Sequence, residues 1–304
     1  MEDAYNNLFT KRAHLTERTK GIYKTNIEKC CRNNDCFSVH DICEKSAEIV
    51  EWLDTCSPNT AKLCATSVIA LLRENDCANE TILPFVDKYQ TLNEGLKAQA
   101  EQQESAGDFA SLDEVKHVEK LLTRRVKDLK LYQRNIDRHE DLDLLMSLLL
   151  VRLHLHIPFR NELATLRVTS KKSVTTTGNW YLTRPHTIIL NDYKTCKRYG
   201  RKEYSIPASI SRLASRVIKH AECKSLLYLP RHPEKPLEPG YYNTYLSRIF
   251  QNTINKNIGS SAIRKAHVTD LYARAPTIHQ KKELADRMNH SKETAELFYY
   301  KPNA

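Results

Sequence analysis

The sequence predicts a mainly α-helical protein with a small antiparallel β-sheet, arranged as two domains. Apolar residues recur at helical spacing over most of the 304 residues. One stretch, 174–207, instead alternates Thr, Tyr, Ile and Leu and contains Gly178 and Gly200, the pattern of short strands joined by turns. Between the helical start and the rest lies Glu101–Asp108, polar and without bulky apolar residues, which reads as a linker. At 40% hydrophobic and 28% charged residues, with only 7 Gly, the composition excludes a disordered or fibrous chain. No apolar run approaches the ~18 to 20 residues that span a bilayer. The opening MEDAYNNLFTKR has no signal-peptide core, so the expectation is an intracellular protein with no membrane partner.

The elements follow in order. Thr16 or Thr19 caps a helix that carries Ile22, Tyr23 and Ile27. Val39, Ile42, Ala47, Val50 and Leu53 predict a second helix, ending near Thr55–Pro58. Ser57-Pro58 opens a third through Ala61, Cys64, Ala65, Val68, Ile69 and Leu72, with Pro58 suited to the first turn. A fourth runs from about Ile82 to Ala100. The domains are placed at 1–104 and 111–304, joined by a linker at 105–110. Beyond it, Ser111 and Glu114 have capping-box spacing ahead of Val115, Val118, Leu121, Leu122 and Val126. Asp143 to Leu155 is nearly all apolar and predicts a buried central helix. A β-hairpin is expected from Thr187 to Ile206, and helices return over 208–304 around an irregular Pro-rich loop at 229–240.

The charge is unevenly spread. Residues 1–110 carry 12 basic and 18 acidic side chains, whereas 152–260 carry 19 basic and 6 acidic. One stretch thus holds more than the whole net charge of +10. Concentrated positive charge points to a polyanion surface, with nucleic acid as the simplest partner. The odd count of 9 Cys without a signal peptide fits free thiols better than a disulfide framework. Cys30, Cys31, Cys36, His40 and Cys43 match no structural zinc spacing, so neither metal nor cofactor is expected.

The most specific segments lie in the second domain. IPFRNELATLRV places Arg160 just after the buried helix, with Glu162 two residues on. NDYKTCKRYGRKEYSIP places Lys194 in the hairpin. AIRKAHVTDLYARAPTIHQKKELADRMNHSKETAELFYYK holds Arg264, His290 26 residues later, and Tyr299 nine residues beyond that. In this order, on a basic domain, these segments resemble the catalytic domain of the tyrosine recombinases (integrases), over about residues 111–304. TERTKGIYKTNIEKC resembles, more weakly, the opening helix of their core-binding domain.

The resemblance implies a helical core-binding domain followed by a tyrosine-recombinase catalytic domain. It implies a site-specific DNA recombinase that cleaves and rejoins DNA through a 3′-phosphotyrosyl intermediate. The partner would be double-stranded DNA, bound by a homotetramer that assembles on it. Arg160 and Arg264 would grip the phosphate, for which a bidentate, permanently charged guanidinium is suited. His290 would bond the same phosphate, Lys194 would protonate the leaving oxygen, and Tyr299 would be the nucleophile. Lys197 is the rival to Lys194, and Tyr300 the rival to Tyr299. Neighbours on a helix point ~100° apart, so only one tyrosine can face the phosphate. Ser261 stands where the family carries His, Lys265 follows the second arginine, and Asn289 replaces the usual Gly before His290. His267, one turn after Arg264, could replace the missing imidazole or simply pack.

Lys171, Lys172, Lys197, Arg198, Arg201 and Lys202 are expected phosphate contacts, and Lys20 and Lys24 could line the inner face of the first domain. The Arg264-Lys265 version resembles recombinases of large DNA viruses and virus-like elements, implying a host nucleus, an infected cytoplasm or a virion. Only four residues follow Tyr300. The tail by which many family members restrain cleavage on a neighbour is therefore expected to be nearly absent, or the chain cut short. Two other readings stand beside this one: a type IB topoisomerase, which a helical first domain disfavours, and a retired, non-cleaving DNA-binding protein, which Ser261 and Asn289 keep open.

Overall fold

The computed structural model describes residues 1–103 and 109–300, so 105–108 of the expected linker lie outside the described residues. The chain forms two compact units, Met1–Ser105 and Ala106–Ala304.

The first unit is built of α1 (Glu2–Lys11), α2 (Glu17–Asn33), α3 (Val39–Glu44), α4 (Ser46–Asp54), α5 (Pro58–Glu74) and α6 (Asn79–Gln103). Thr16, not Thr19, caps α2: its Oγ1 accepts from the Thr19 N–H at 3.2 Å. The single helix expected across Val39–Leu53 is two, broken at Lys45. There the backbone leaves helical geometry at ψ 22°, and the ammonium donates to the Asn34 carbonyl at 3.0 Å. α1 was not expected. It is ten residues long with only Ala4 and Leu8 buried, too weak a periodic signal by itself. Tertiary contacts hold its end: Lys11 pairs with Asp76 at 3.0 Å, and Arg12, the residue that closes the helix, with Glu74 at 2.7 Å. Cys30 and Cys64 are buried between α2 and α5 as small apolar residues, and all nine thiols are free. Among the described residues no group of three or more His, Cys, Asp or Glu side chains is placed to hold a metal ion, and no helix is long and apolar enough to cross a membrane.

The second unit begins with α7 (Leu112–Asp128), whose capping box forms both bonds, Glu114 N–H to Ser111 Oγ at 3.1 Å and Ser111 N–H to Glu114 Oε2 at 2.9 Å. α8 (His139–His156) packs against α7, α10 (Ala208–Ile218) and α11 (Tyr242–Ile254), which is why its sequence is apolar on all sides. Leu145, Leu148, Leu149 and Val151 are fully buried there. Each such side chain contributes about 1.5–3 kcal/mol through its burial.

A sheet of β1 (Leu166–Thr169), β2 (Asn179–Thr183), β3 (His186–Leu190) and β4 (Lys202–Ser205) runs in that order, with the short helix α9 (Cys196–Tyr199) between β3 and β4. The expected hairpin pairs Thr187 with Ser205 and Leu190 with Lys202. The sheet is mixed rather than wholly antiparallel, because β1 joins β2 in parallel, Leu166 opposite Asn179. β1 escapes detection as a four-residue run directly after a helix. The connection to β2 turns back through Gly178, which holds φ +69°, a conformation that favours glycine.

The Pro-rich segment read as an irregular loop contains a hairpin, β5 (Tyr228–Leu229) with β6 (His232–Pro236). In a two-stranded ribbon both strands are edges, where proline's missing N–H is tolerated. α12 (Ser260–Tyr272), α13 (Ile278–Arg287) and α14 (Lys292–Phe298) complete the unit.

Candidate active site

Arg264 organises the site. It lies on the second turn of α12, whose start is held by Asn243 Oδ1 accepting from the N–H and Oγ of Ser260. The side chain is 1% exposed, so its charge must be compensated inside the protein. Nη1 donates to the Pro158 carbonyl at 2.5 Å and Nη2 to the Met288 carbonyl at 2.9 Å. Nε lies 3.4 Å from the Tyr299 hydroxyl, and the guanidinium sits 5.0 Å from the centre of that ring. One side chain thus ties together the loop after α8, the turn after α13 and the end of α14.

Each of those segments carries a residue singled out from the sequence. Two residues after Pro158 is Arg160, whose N–H donates to Glu162 Oε2 at 2.7 Å and whose Nη1 is 4.0 Å from Glu162 Oε1. Two residues after Met288 is His290. Its Nδ1 is 3.0 Å from the Ser291 carbonyl, a contact that requires the proton on Nδ1 and leaves the lone pair on Nε2. The His290 ring stacks on Tyr299 at 5.0 Å and 12°. Arg160 Nη1 and His290 Nε2 are buried without hydrogen-bond partners, two unsatisfied polar atoms in one cluster.

The electrostatics follow from this crowding. Burial, reinforced by the field of Arg264, pushes His290 down to about 4, so its ring is neutral at pH 7. For the Tyr299 phenol, burial acts upward. The charges and hydrogen bonds of Arg264 and Arg160 outweigh it and set the phenol below its ordinary 10. A phenol beside two guanidiniums is thus easier to ionise, which is what attack by a tyrosine oxygen requires.

The backbone accounts for Asn289. Its φ is +56°, the left-handed region that Gly or Asn tolerates, and Asn289 Oδ1 accepts from the Tyr204 hydroxyl at 3.1 Å. Asn289→Val combines a β-branched residue at positive φ with loss of that bond. It is expected to destabilise the chain by about 2–4 kcal/mol in urea titrations, against less than half of that for Asn289→Gly.

Lys194 is exposed in the turn before α9, and its neighbour Thr195 donates Oγ1 to the Asn289 carbonyl at 2.9 Å, so the lysine turn abuts the His290 turn. Other expected residues lie elsewhere. Tyr300 packs its ring on Tyr272 at 5.0 Å. His267 is packed against α8, donating Nε2–H to the His154 carbonyl at 3.0 Å. Ser261 is exposed at the start of α12, and Lys265 is half-buried next to Arg264. Lys171, Lys172, Lys197 and Arg198 are exposed. Arg201 is engaged by Glu203 at 2.7 Å and Lys202 by Asp286 at 2.5 Å, so phosphate would have to displace these carboxylates. In the first unit Lys20 pairs with Glu17 at 2.7 Å and Lys24 with Glu28 at 3.9 Å. Thr195 and Tyr204 have no signal in the sequence beyond adjacency to the lysine and a place on β4.

The buried imidazoles set a pH dependence. Burial holds His154 at about 3 and His267 at about 4, as it holds His290 low. Their folded values lie below the unfolded ~6.5, so the unfolded chain takes up protons first as pH falls. Stability is therefore full above about pH 6.5 and is lost towards pH 4, by about 2 kcal/mol at pH 5 for each of His154 and His267. Urea midpoints at pH 7 and pH 5 measure this. His267→Gln keeps a donor that cannot titrate and is expected to flatten part of the loss.

No protein-family model matches the chain, and no curated protein matches it. Among solved structures it aligns with XerA recombinase at a TM-score of 0.43 and 9% identity, over 99% of this chain and 94% of that one. A likeness of that size assigns no family. What the residues themselves establish is a tyrosine hydroxyl held against a buried arginine, with a second arginine and a neutral histidine at its side.

Proposed function

We propose that the chain breaks and rejoins DNA strands by the chemistry of the tyrosine recombinases. The observation that carries this is the Tyr299 hydroxyl, lowered in pKa by Arg264 and Arg160 and stacked on His290, beside two buried polar atoms that lack partners. An anionic phosphate would satisfy Arg160 Nη1 directly, and His290 Nε2 once that nitrogen has taken up a proton. The stretch 152–260, with 19 basic and 6 acidic side chains, suits the DNA backbone around it.

In this reading the Tyr299 phenol gives up its proton to water, and the phenolate Oη attacks the scissile phosphorus as the bond to the 5′-oxygen breaks. Lys194, with Lys197 as the alternative, gives a proton to the departing oxygen. The product is a 3′-phosphotyrosine and a free 5′-hydroxyl. Arg160 and Arg264 stabilise the charge of the five-coordinate phosphorus. Arg264 spends two of its five N–H groups on carbonyls and keeps others for phosphate. His290, neutral with its lone pair on Nε2, must take up a proton there to donate to phosphate, so binding of DNA is expected to draw a proton. The covalent intermediate conserves the phosphodiester bond energy, so the reading needs neither ATP nor metal. Exchange between two sites would bring four copies together on DNA.

The test is a pool of duplexes, randomised at the centre and nicked so that the short strand diffuses away after cleavage. Covalent adducts, resistant to denaturant, are expected and their DNA is sequenced. The exposed Ser261, where the family has an imidazole, favours a second reading, a DNA-binding protein that no longer cleaves. That reading wins if protein retains duplexes from the pool yet forms no adduct. Relaxation of supercoiled plasmid without a preferred sequence would favour a topoisomerase.

A further inference from the structure

The turn that carries His290 is gripped from the hairpin at two points. Thr195 Oγ1 donates to the Asn289 carbonyl at 2.9 Å, and the Tyr204 hydroxyl donates to Asn289 Oδ1 at 3.1 Å. Thr195 follows Lys194 directly, and Tyr204 lies across the connection on β4. Asn289 is itself buried at 4% exposure, and the residue before it, Met288, accepts from Arg264 through its carbonyl. The start of the lysine turn is fixed as well. The buried Asn179 side chain donates to the Thr165 hydroxyl at 2.7 Å and the Asp192 carbonyl at 2.6 Å. Its Oδ1 accepts from the N–H groups of Asn191 and Asp192 at 3.0 and 2.9 Å. Asn179 therefore holds the backbone before Lys194, and Thr195 holds it after.

This matters because a lysine is a compact charge on a flexible four-carbon stem. The ammonium can be delivered reproducibly to one oxygen only if its Cα is held. The only direct side-chain bond from the lysine turn to the His290 turn, among the described residues, is that of Thr195.

We propose that Thr195 is a positioning residue for Lys194, and that its bond to Asn289 sets where the ammonium stands relative to the phosphate held by Arg160, Arg264 and His290. Tyr204 supports the same contact from β4. The inference rests on the strand-cleavage reading. In the step it serves, the Tyr299 phenol loses its proton to water, the Oη–phosphorus bond forms and the phosphorus–O5′ bond breaks. A proton passes from the Lys194 ammonium to O5′, and the resulting amine is reprotonated from water. A leaving group that needs no proton should be indifferent to Thr195.

The experiment uses the nicked duplex that wild-type protein selects from the random pool, made once with oxygen and once with sulfur at the bridging 5′ position. A thiolate leaves without protonation. Thr195→Val, which keeps the shape and loses the hydroxyl, is expected to slow adduct formation about ten- to hundredfold on the oxygen duplex. On the sulfur duplex it should stay within about threefold of wild type. Thr195→Ser is expected to cleave both like wild type, and Tyr204→Phe to show a weaker form of the Val pattern. Equal slowing of Thr195→Val on both duplexes would place the contact in the phosphate clamp or the fold at large and overturn the inference. So would wild-type rates on oxygen. Absence of any wild-type adduct on either duplex would instead overturn the cleavage reading, and the inference with it.

Discussion

Tyr299→Phe is expected to yield no covalent adduct on a nicked duplex that traps the wild-type protein, a loss of at least about 10⁴-fold. Tyr300→Phe is expected to keep the adduct. The contrast comes from where the two hydroxyls stand. Tyr299 Oη is 3.4 Å from Arg264 Nε and its ring lies on His290, whereas Tyr300 packs on Tyr272 in the small cluster between α12 and α14. Removing the Tyr299 oxygen takes away the nucleophile of the proposed step. It removes little packing, because the ring remains, so the Phe variant should unfold within about 1 kcal/mol of wild type. Wild-type cleavage should also rise with pH and level off below 10, because Arg264 and Arg160 hold the phenol below its ordinary value. Gel mobility of the adduct and its rate against pH measure both. Adduct in Tyr299→Phe together with none in Tyr300→Phe would mean that the segment after α14 turns Tyr300 to the DNA instead.

Arg264→Ala is expected to cost both activity and fold. The guanidinium joins the Pro158 and Met288 carbonyls to Tyr299, and truncation leaves two carbonyls and a cavity where a fully buried side chain stood. Removing one partner of such a buried charged network costs about 3–5 kcal/mol, and the loss of phosphate stabilisation should lower adduct formation by at least about 10²–10³. Arg264→Lys separates the two effects. It keeps the positive charge but cannot span both carbonyls and the phenol with one ammonium. Its stability loss should be smaller, while cleavage stays impaired. Arg160→Ala provides the comparison. Arg160 is partly exposed and its neighbour is Glu162, so it should lose cleavage with a much smaller change in urea midpoint.

The long helices were legible because their signals are local. Ser111 and Glu114 announce the start of α7, and the unbroken apolar run of α8 says that it is surrounded. The hairpin of β3 and β4 was legible from alternation and Gly200, which holds φ +65°. Short elements held by distant partners were not. α1 depends on Glu74, β1 on a parallel neighbour, and β5–β6 on a pairing that its prolines disguise.

By itself the sequence determined the mostly helical class, the basic stretch at 152–260, and the order of Arg160, Lys194, Arg264, His290 and Tyr299 along the chain. The class and the basic stretch follow from spacing and charge, which are properties of the chain alone, while the five residues are picked out by their resemblance to the tyrosine recombinases. Only the tertiary structure decided that Tyr299 rather than Tyr300 meets Arg264, that His267 packs, and that Thr195 joins the lysine turn to the histidine turn. Each of these is a contact between residues tens of positions apart, set by how helices and sheet pack around one buried guanidinium. No local pattern encodes the direction a side chain takes once its partner arrives from elsewhere.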